Sequence, residues 1–454
     1  MSRVRTISPA WRQLLGRRQR PRCRPGHAVQ LLQSGAEFFP ALEAAIHSAR
    51  ESVWIETYIF HDDASGRRIA RALGRAVARG VAVRLVVDGF GTGMPAGEVG
   101  QVLAAERVEL RIFRPLRRWR LERQALRRLH RKLALIDSAV LFVGGINLID
   151  DHEDPVRGRL EAPRLDFALR IRGPLVEEAV SAMAQVWRRA QPVRWPALPQ
   201  GSPKMPRAAP AGEGGPVGAA QASAAGALGL ELEALSAAAA SRSASKADPG
   251  ALAEPALTTA TREVRAAFAE RDNFRHRRTI ERAYLRAIGQ ARTEVLIACA
   301  YFFPGAKFRR ALAEAAARGV RVRLLLQGRI EYRLPHFGTL ALHEELLRAG
   351  VEIIEYQPGF LHAKLALADQ WFTLGSSNID PFSLLLAREA NVIVQDDAMA
   401  AVLRARIEQA IAEGGRPVRW SHIVARPWWV RAAALGAAFV LRIGVALSGR
   451  GLRY

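Results

Sequence analysis

Lysine is scarce in this sequence. Of its 67 lysines and arginines only five are lysine, at positions 132, 204, 246, 307 and 364. Acidic residues are also in short supply, 43 against those 67, which leaves a formal net charge of +24 over 454 residues. Such a chain calls for an anionic partner, either nucleic acid or an acidic membrane surface. Cysteine is nearly absent: Cys23 and Cys299 cannot form a disulfide framework, and their small number suits a reducing compartment. Cys299 falls in an apolar, strand-like run and reads as packing. The arginine-rich opening, residues 1–26, is followed by no apolar core of a signal peptide. Hydrophobic residues still make up 49% of the chain, enough for sizeable cores.

Two of the five lysines stand in near-identical stretches. One runs His130-Arg-Lys132-Leu-Ala-Leu-Ile-Asp137, the other His362-Ala-Lys364-Leu-Ala-Leu-Ala-Asp369. If basic positions were filled at random, lysine at both places would have odds of (5/67) squared, roughly 1 in 180. Arginine and lysine are not interchangeable at an oxyanion site, so the retention is informative. The apolar runs read as buried strands, where residues two apart share a face. His130 and Lys132 then project together, as do His362 and Lys364. A histidine can act as nucleophile or general acid near neutral pH, and a lysine offers a compact charge to a phosphate oxygen. Small-residue loops follow, Gly144-Gly145-Ile146-Asn147 and Gly375-Ser376-Ser377-Asn378; Asn147, Ser376 and Asn378 supply neutral donors. Asp137 and Asp369 sit at an odd offset from their histidines and read as ties for hairpin turns.

These motifs resemble the phospholipase D superfamily, whose signature is His-x-Lys-x4-Asp followed by Gly-Ser-x-Asn. The second copy fits well. The first departs at Gly145, where the family usually has Ser, and its loop is one residue longer. The resemblance places Asp137 and Asp369 in the catalytic set with the two His-Lys pairs. It also gives Asp166 and Glu389, which open matching apolar stretches, the role of orienting the histidines. It implies two repeats, each an α/β/α sandwich with a mainly parallel sheet, related by a pseudo-two-fold axis that joins both motifs in one site. The run Gly375 to Ser383 looks like the cardiolipin synthase branch, and Arg271 to Arg278 with the helix after it resembles a segment of the short bacterial type.

The chain order agrees with a duplicated α/β fold. Residues 1–27 form a basic arm, and 28–197 hold the first repeat. Helical spacing at Phe38 to Ala49 and Arg67 to Arg79 alternates with strand-like runs at Val53 to Phe60 and Val81 to Val87. The same order returns in the second repeat, 259–424. There Ala317-Arg-Gly-Val-Arg-Val-Arg-Leu324 matches Ala78-Arg-Gly-Val-Ala-Val-Arg-Leu85. Tyr301-Phe302-Phe303 parallels Tyr58-Ile59-Phe60. Residues 198–258, rich in Ala, Gly, Pro and Ser, read as a flexible linker. Arg114 to Arg128 holds seven arginines, either a solvated helical face or a patch for anionic headgroups. In 425–454, the apolar stretch Trp428 to Leu447 is broken by Arg431 and Arg442. Only ten uncharged residues lie between them, fewer than the about 20 a spanning helix needs. Arg431, Arg442 and Arg453 share a helical face, as in a helix lying in a membrane interface.

The resemblance implies two steps at phosphorus: attack by one histidine, then transfer of the phosphatidyl group to an alcohol, with the lysines holding the developing charge. It implies joining two phosphatidylglycerols into cardiolipin, or use of phosphatidylethanolamine as donor. No cofactor and no metal are expected, since two lysines would repel a divalent cation. The expected partners are phosphatidylglycerol and an anionic membrane surface, at the cytoplasmic side of the cell membrane, with no nucleic acid and no obligate protein partner. A nuclease of the same superfamily is the rival, disfavoured by the C-terminal helix and by the lack of aromatic stacking runs. A non-enzymatic scaffold with a vestigial site is a further rival, and the two retained lysines speak against it.

Overall fold

A computed structural model describes residues 21–115, 127–195, 264–272, 276–380, 383 and 387–445. The first repeat begins with β1 (Arg24–Gln33), α1 (Ser34–Ser48), β2 (Ser52–Thr57), α2 (Ala64–Ala78), β3 (Ala82–Asp88), α3 (Gly97–Ala105) and β4 (Glu109–Phe113). It continues with β5 (Lys132–Ile136), β6 (Val140–Gly144), a small ribbon of β7 (Glu153–Asp154) and β8 (Gly158–Arg159), then β9 (Phe167–Arg172), α4 (Leu175–Trp187) and β10 (Gln191–Pro192). The second repeat follows the same plan: β11 (Val264–Arg271), α5 (Thr279–Gln290), β12 (Glu294–Cys299), α6 (Ala306–Ala317), β13 (Arg321–Gln327), α7 (Arg333–Arg348) and β14 (Glu352–Tyr356). After it come β15 (Lys364–Ala368), β16 (Trp371–Gly375), β17 (Glu389–Gln395), α8 (Asp397–Gly414), β18 (Gly415–Pro417), α9 (Trp420–Val424) and α10 (Trp428–Val445).

Sixteen strands make one sheet, in the order β10-β4-β3-β2-β5-β6-β9-β1-β11-β17-β16-β15-β12-β13-β14-β18. Read from either end, the order names equivalent strands, which is the pseudo-two-fold relation expressed as topology. The axis passes between β1 and β11, which pair antiparallel. The sheet is mixed where a mainly parallel one was expected. The βαβ units give the parallel pairs β2/β3, β3/β4, β12/β13 and β13/β14. Strands β5 and β6, like β15 and β16, are consecutive hairpins and must run antiparallel.

Helices cover both faces because each strand core is apolar on both sides. One layer spans the seam: Met183 of α4 and Leu403 of α8 join Leu169, Phe268, Leu296 and Val392 in a shared core. The opposite face is covered separately in each repeat, by α1 to α3 around Leu42, Leu73 and Leu103, and by α5 to α7 around Ile288, Leu312 and Leu346. The two repeats thus belong to one compact unit. The expected basic arm is shorter than 1–27, since Arg24 already opens β1; residues 1–20 and the linker 198–258 lie outside the described residues, as does most of the stretch from Arg114 to Arg128.

Helix α10 lies against α7 through Ala434, Ala437, Ala438 and Leu441, which are buried. Gly338 of α7 permits the approach, because a Cβ there would collide with the Leu441 side chain. The other face of α10 exposes Trp428, Trp429, Leu435, Phe439 and Val440. No helix among the described residues is long and apolar enough to cross a membrane.

Candidate active site

Strands β5 and β15 run antiparallel to β2 and β12, with Val53 opposite Ile136 and Val295 opposite Ala368. Their N-terminal ends therefore lie at the carboxyl ends of the parallel strands, where open α/β sheets place ligands. His130 and His362 precede these strands, and Lys132 and Lys364 open them. Both lysines are buried, and each Nζ donates to the carbonyl of its own motif's histidine, at 2.6 Å for Lys132 to His130.

The histidines find their carboxylates across the seam. His130 Nδ1 lies 3.0 and 3.2 Å from the two carboxylate oxygens of Glu389. His362 Nδ1 lies 2.6 Å from Asp166. Each pair joins one repeat to the other. Backbone bridges enforce the exchange: Leu129 pairs with Arg388 and Leu165 with Leu361, while His130 N–H donates to Arg388 O at 3.0 Å and His362 N–H to Leu165 O at 2.8 Å. A carboxylate accepting from Nδ1–H fixes the tautomer and leaves the Nε2 lone pair for chemistry.

Burial sets the electrostatics. It holds both imidazoles below the usual histidine range; Glu389 opposes it at His130, whereas Lys364 and Lys132 reinforce it at His362. Burial also pushes Lys132 down to about 7, lowers Lys364, and raises Asp166 to about 7. Two buried ammonium groups kept below their ordinary range are a receptor for a negative charge, because an anion between them restores their protonated form.

The loops after β6 and β16 sit beneath the carboxylates and are not equivalent. Ser376 Oγ donates to Glu389 at 2.5 Å. Gly145 takes the matching place in the first repeat, and a Cβ there would run into the Asp166 carboxylate. The departure from the family signature thus has a steric cause. Asn147 Oδ1 accepts from Ile59 N–H at 3.2 Å, and Asn378 Oδ1 is buried without a partner among the described residues. Serine 376 and both asparagines are buried.

Asp137 and Asp369 are not brought to the imidazoles. They sit past the far ends of β5 and β15, about 20 Å along the strand from their histidines. Asp137 accepts the backbone N–H of Arg50, Glu51 and Ser52 at 2.8 to 3.0 Å; Asp369 accepts those of Arg292, Thr293 and Glu294 at 2.9 to 3.0 Å. Each pins the turn to the chain entering the neighbouring strand. Placing them in the catalytic set is corrected by this geometry: seven residues of extended chain separate the two functions. The turns differ by one residue, with positive φ at Asp137 and Ser138 in the first and at Asp369 in the second.

Other residues come to the site unannounced by the motifs. The Tyr58 ring lies edge-on to His130, with centroids 5.1 Å apart, and 5.4 Å from Lys132 Nζ. Arg131, between the motif's His and Lys, is wholly buried and bonds Glu56 at 2.5 and 3.1 Å, Glu270 at 3.2 Å and Ala182 O at 2.7 Å. Asp88 and Gln327 accept the N–H just before each motif, Leu129 N–H at 2.8 Å and Leu361 N–H at 2.9 Å. The offset of 239 between the copies of the preceding strand would have paired these two.

A site made from two crossed halves has a counterpart in sequence comparison. The family model described as cardiolipin synthase, PLD-like domain, matches the chain twice, over residues 42–154 and 284–411. Cardiolipin synthase B of Escherichia coli K12 is 32% identical over 94% of this chain and 90% of its own. The chain belongs to the cardiolipin synthase family. Cardiolipin synthase A of Pseudomonas entomophila is a second relative, 30% identical over 83% of this chain and 67% of its own. Among solved structures, phosphatidylserine synthase of Haemophilus influenzae covers 98% of this chain and all of its own with a TM-score of 0.63. At 12% identity that likeness shows the fold, not the chemistry. In this cardiolipin synthase family member, both matched segments stop short of the linker and carry one His-Lys pair each.

Proposed function

We propose that the chain transfers a phosphatidyl group between two phosphatidylglycerol molecules, giving cardiolipin and glycerol through a phosphohistidine. The observation that carries this is the crossed pair of carboxylate-anchored imidazoles, each with a buried lysine two residues on. One Nε2 attacks phosphorus and the bond to the headgroup glycerol oxygen breaks. The other histidine gives that oxygen its proton. It then takes a proton from the hydroxyl of the second lipid, whose oxygen attacks phosphorus and breaks the phosphorus–nitrogen bond. Lys132 and Lys364, with the two asparagines, hold the charge on the non-bridging oxygens, while Ser376, expected to join them, gives its one hydroxyl proton to Glu389 and steadies that carboxylate. Asp166 and Glu389 orient the imidazoles and stabilise the imidazolium.

The protein works at an anionic membrane surface, as a peripheral protein on the cytoplasmic side. Supporting this are the net charge of +24 and the apolar outer face of α10, with its two tryptophans at one end. The test is mass spectrometry of lipids after incubating purified protein with phosphatidylglycerol vesicles. Cardiolipin and glycerol in equal amounts are expected; cleavage of plasmid DNA without cardiolipin would overturn the reading.

A further inference from the structure

The two repeats differ most beside their lysines. The bridge from Phe60 to Leu148 matches that from Phe302 to Ile379, and β2 and β12 pair with β3 and β13 in the same register. Tyr58 therefore corresponds to Ala300, and Asp88 to Gln327. In the first repeat the Tyr58 ring fills the space beside His130 and Lys132. Asp88 is fully engaged, accepting N–H groups of Phe90, Gly91 and Leu129 at 2.8 to 3.2 Å.

In the second repeat Ala300 leaves that space open. A pocket of about 430 Å³, counting the part open to solvent, is lined by Ala300, Tyr301, Gln327, Glu331, His343 and Glu355 among others. It abuts the motif strand: Ala300 N–H donates to Ala363 O at 3.1 Å, and Glu331 and Lys364 sense each other's charge. Gln327 spends its Oε1 on Leu361 N–H, and its Nε2 is buried without a partner among the described residues. His343 is 1% exposed. Its Nδ1 lies 3.0 Å from the Arg426 guanidinium, which only donates, so the proton sits on Nε2. That N–H also has no partner among the described residues. Acceptors stand on the same walls: Glu331, which takes the Tyr301 hydroxyl at 2.6 Å, and Glu355.

We propose that this pocket, on the His362 and Lys364 side of the cleft, is the subsite for a diol headgroup, the glycerol of the acceptor lipid. The inference rests on the transferase reading above and deepens it. A buried donor without a partner is costly, about 1–3 kcal/mol, and a ligand that accepts removes the cost. A diol accepts from Gln327 and His343 and donates to Glu331. An ammonium headgroup only donates, so it leaves both nitrogen donors unpaired.

The test uses the full chain on phosphatidylglycerol vesicles with equal concentrations of 1,2-propanediol, n-propanol and ethanolamine as competing acceptors. Mass spectrometry reads the three phosphatidyl products, phosphatidic acid and cardiolipin. The diol product is expected to exceed each of the other two at least tenfold. Ala300→Tyr, which copies the first repeat, and Glu331→Leu should each lower the ratio of diol product to phosphatidic acid about tenfold. Equal use of the three acceptors, or an unchanged ratio in both variants, overturns the subsite while leaving the transferase reading in place. Absence of every transfer product from the unaltered protein, cardiolipin included, overturns both.

Discussion

His362 Nδ1 lies 2.6 Å from a carboxylate oxygen of Asp166, a residue 196 positions earlier and in the opposite repeat. The reciprocal pair, His130 with Glu389, spans 259 positions. Neither repeat by itself therefore holds an anchored imidazole. Asp166→Asn keeps the shape but offers Nδ1 a group that can donate as well as accept, so the tautomer is no longer fixed. The expected loss in kcat is about 10–100-fold, the usual scale for a residue that orients another. Glu389→Gln should behave alike. Initial rates of cardiolipin formation, with melting curves to confirm folding, check both; wild-type kcat in either variant would remove the orienting role.

Restoring the family's serine in the first copy should harm the enzyme. A side chain at Gly145 has no room beside Asp166, so Gly145→Ser must push that carboxylate away from His362. The reverse change, Ser376→Gly, removes the 2.5 Å bond to Glu389 and loosens His130. A bond to a charged group contributes about 1.5–3 kcal/mol, or roughly 10- to 100-fold if it acts only in the transition state. Both variants should lose kcat. A Gly145→Ser enzyme faster than the natural one would show that the first loop is a degraded copy and not a fitted one.

Much of this architecture was legible because the chain repeats itself. Duplication made His130, Lys132, His362 and Lys364 stand out, and the scarcity of lysine gave them weight. The matched Gly80 and Gly319 strands located the βαβ units. What stayed hidden was long-range. Nothing local tells Asp166 to serve His362 and not His130, because the exchange depends on strand pairing at the seam. Similar aromatic runs suggested pairing Tyr58 with Tyr301, whereas the bridges align Tyr58 with Ala300 and so reveal the asymmetry. The antiparallel half of the sheet was foreshadowed by the turns at Asp137 and Asp369. Its seam through β1 and β11 depends on a pairing between segments separated by the linker.

Burial places Lys132 and Asp166 at about 7 from opposite directions, which predicts a narrow pH optimum. As pH rises through 7 the free enzyme loses the Lys132 charge that the proposed mechanism sets against the lipid phosphate. As pH falls through 7 Asp166 gains a proton, loses the charge that stabilises the His362 imidazolium, and can donate as well as accept. The value of kcat/KM, which reports groups of the free enzyme, should trace a bell centred near 7, its limbs belonging to the coupled cluster. Asp166→Asn should flatten the acid limb alone. A plateau from pH 5 to 9 in the natural enzyme would contradict the proposed charges.

Arg131 ties β5 to Glu56 of β2, to Glu270 of β11 and to α4, with no exposure to solvent. Arg131→Met leaves Glu56 buried without its cation. Breaking one side of a buried pair costs about 3–5 kcal/mol. The expected result is a melting temperature several degrees lower. Adding Glu56→Leu should recover part of the loss, since the stranded carboxylate is then gone. If Arg131→Met melts like the natural protein, the cluster contributes no net stability.

The exposed face of α10 carries the last expectation. Trp428, Leu435 and Phe439 are 80%, 68% and 63% exposed, although they sit on a helix whose opposite face is firmly held by α7. Helix α7 begins beside the cleft, where Tyr332 meets Tyr301 with ring centroids 6.0 Å apart. Burying a leucine or phenylalanine side chain contributes about 1.5–3 kcal/mol, so Leu435→Glu or Phe439→Glu should each weaken binding to phosphatidylglycerol vesicles roughly tenfold or more. Raising the salt should weaken the natural protein's binding too, because arginines such as Arg431 and Arg442 lie on the same helix and their attraction to anionic lipid is screened. Sedimentation with vesicles measures both effects. Variants that co-sediment as the natural protein does would mean that this apolar face meets something other than the membrane.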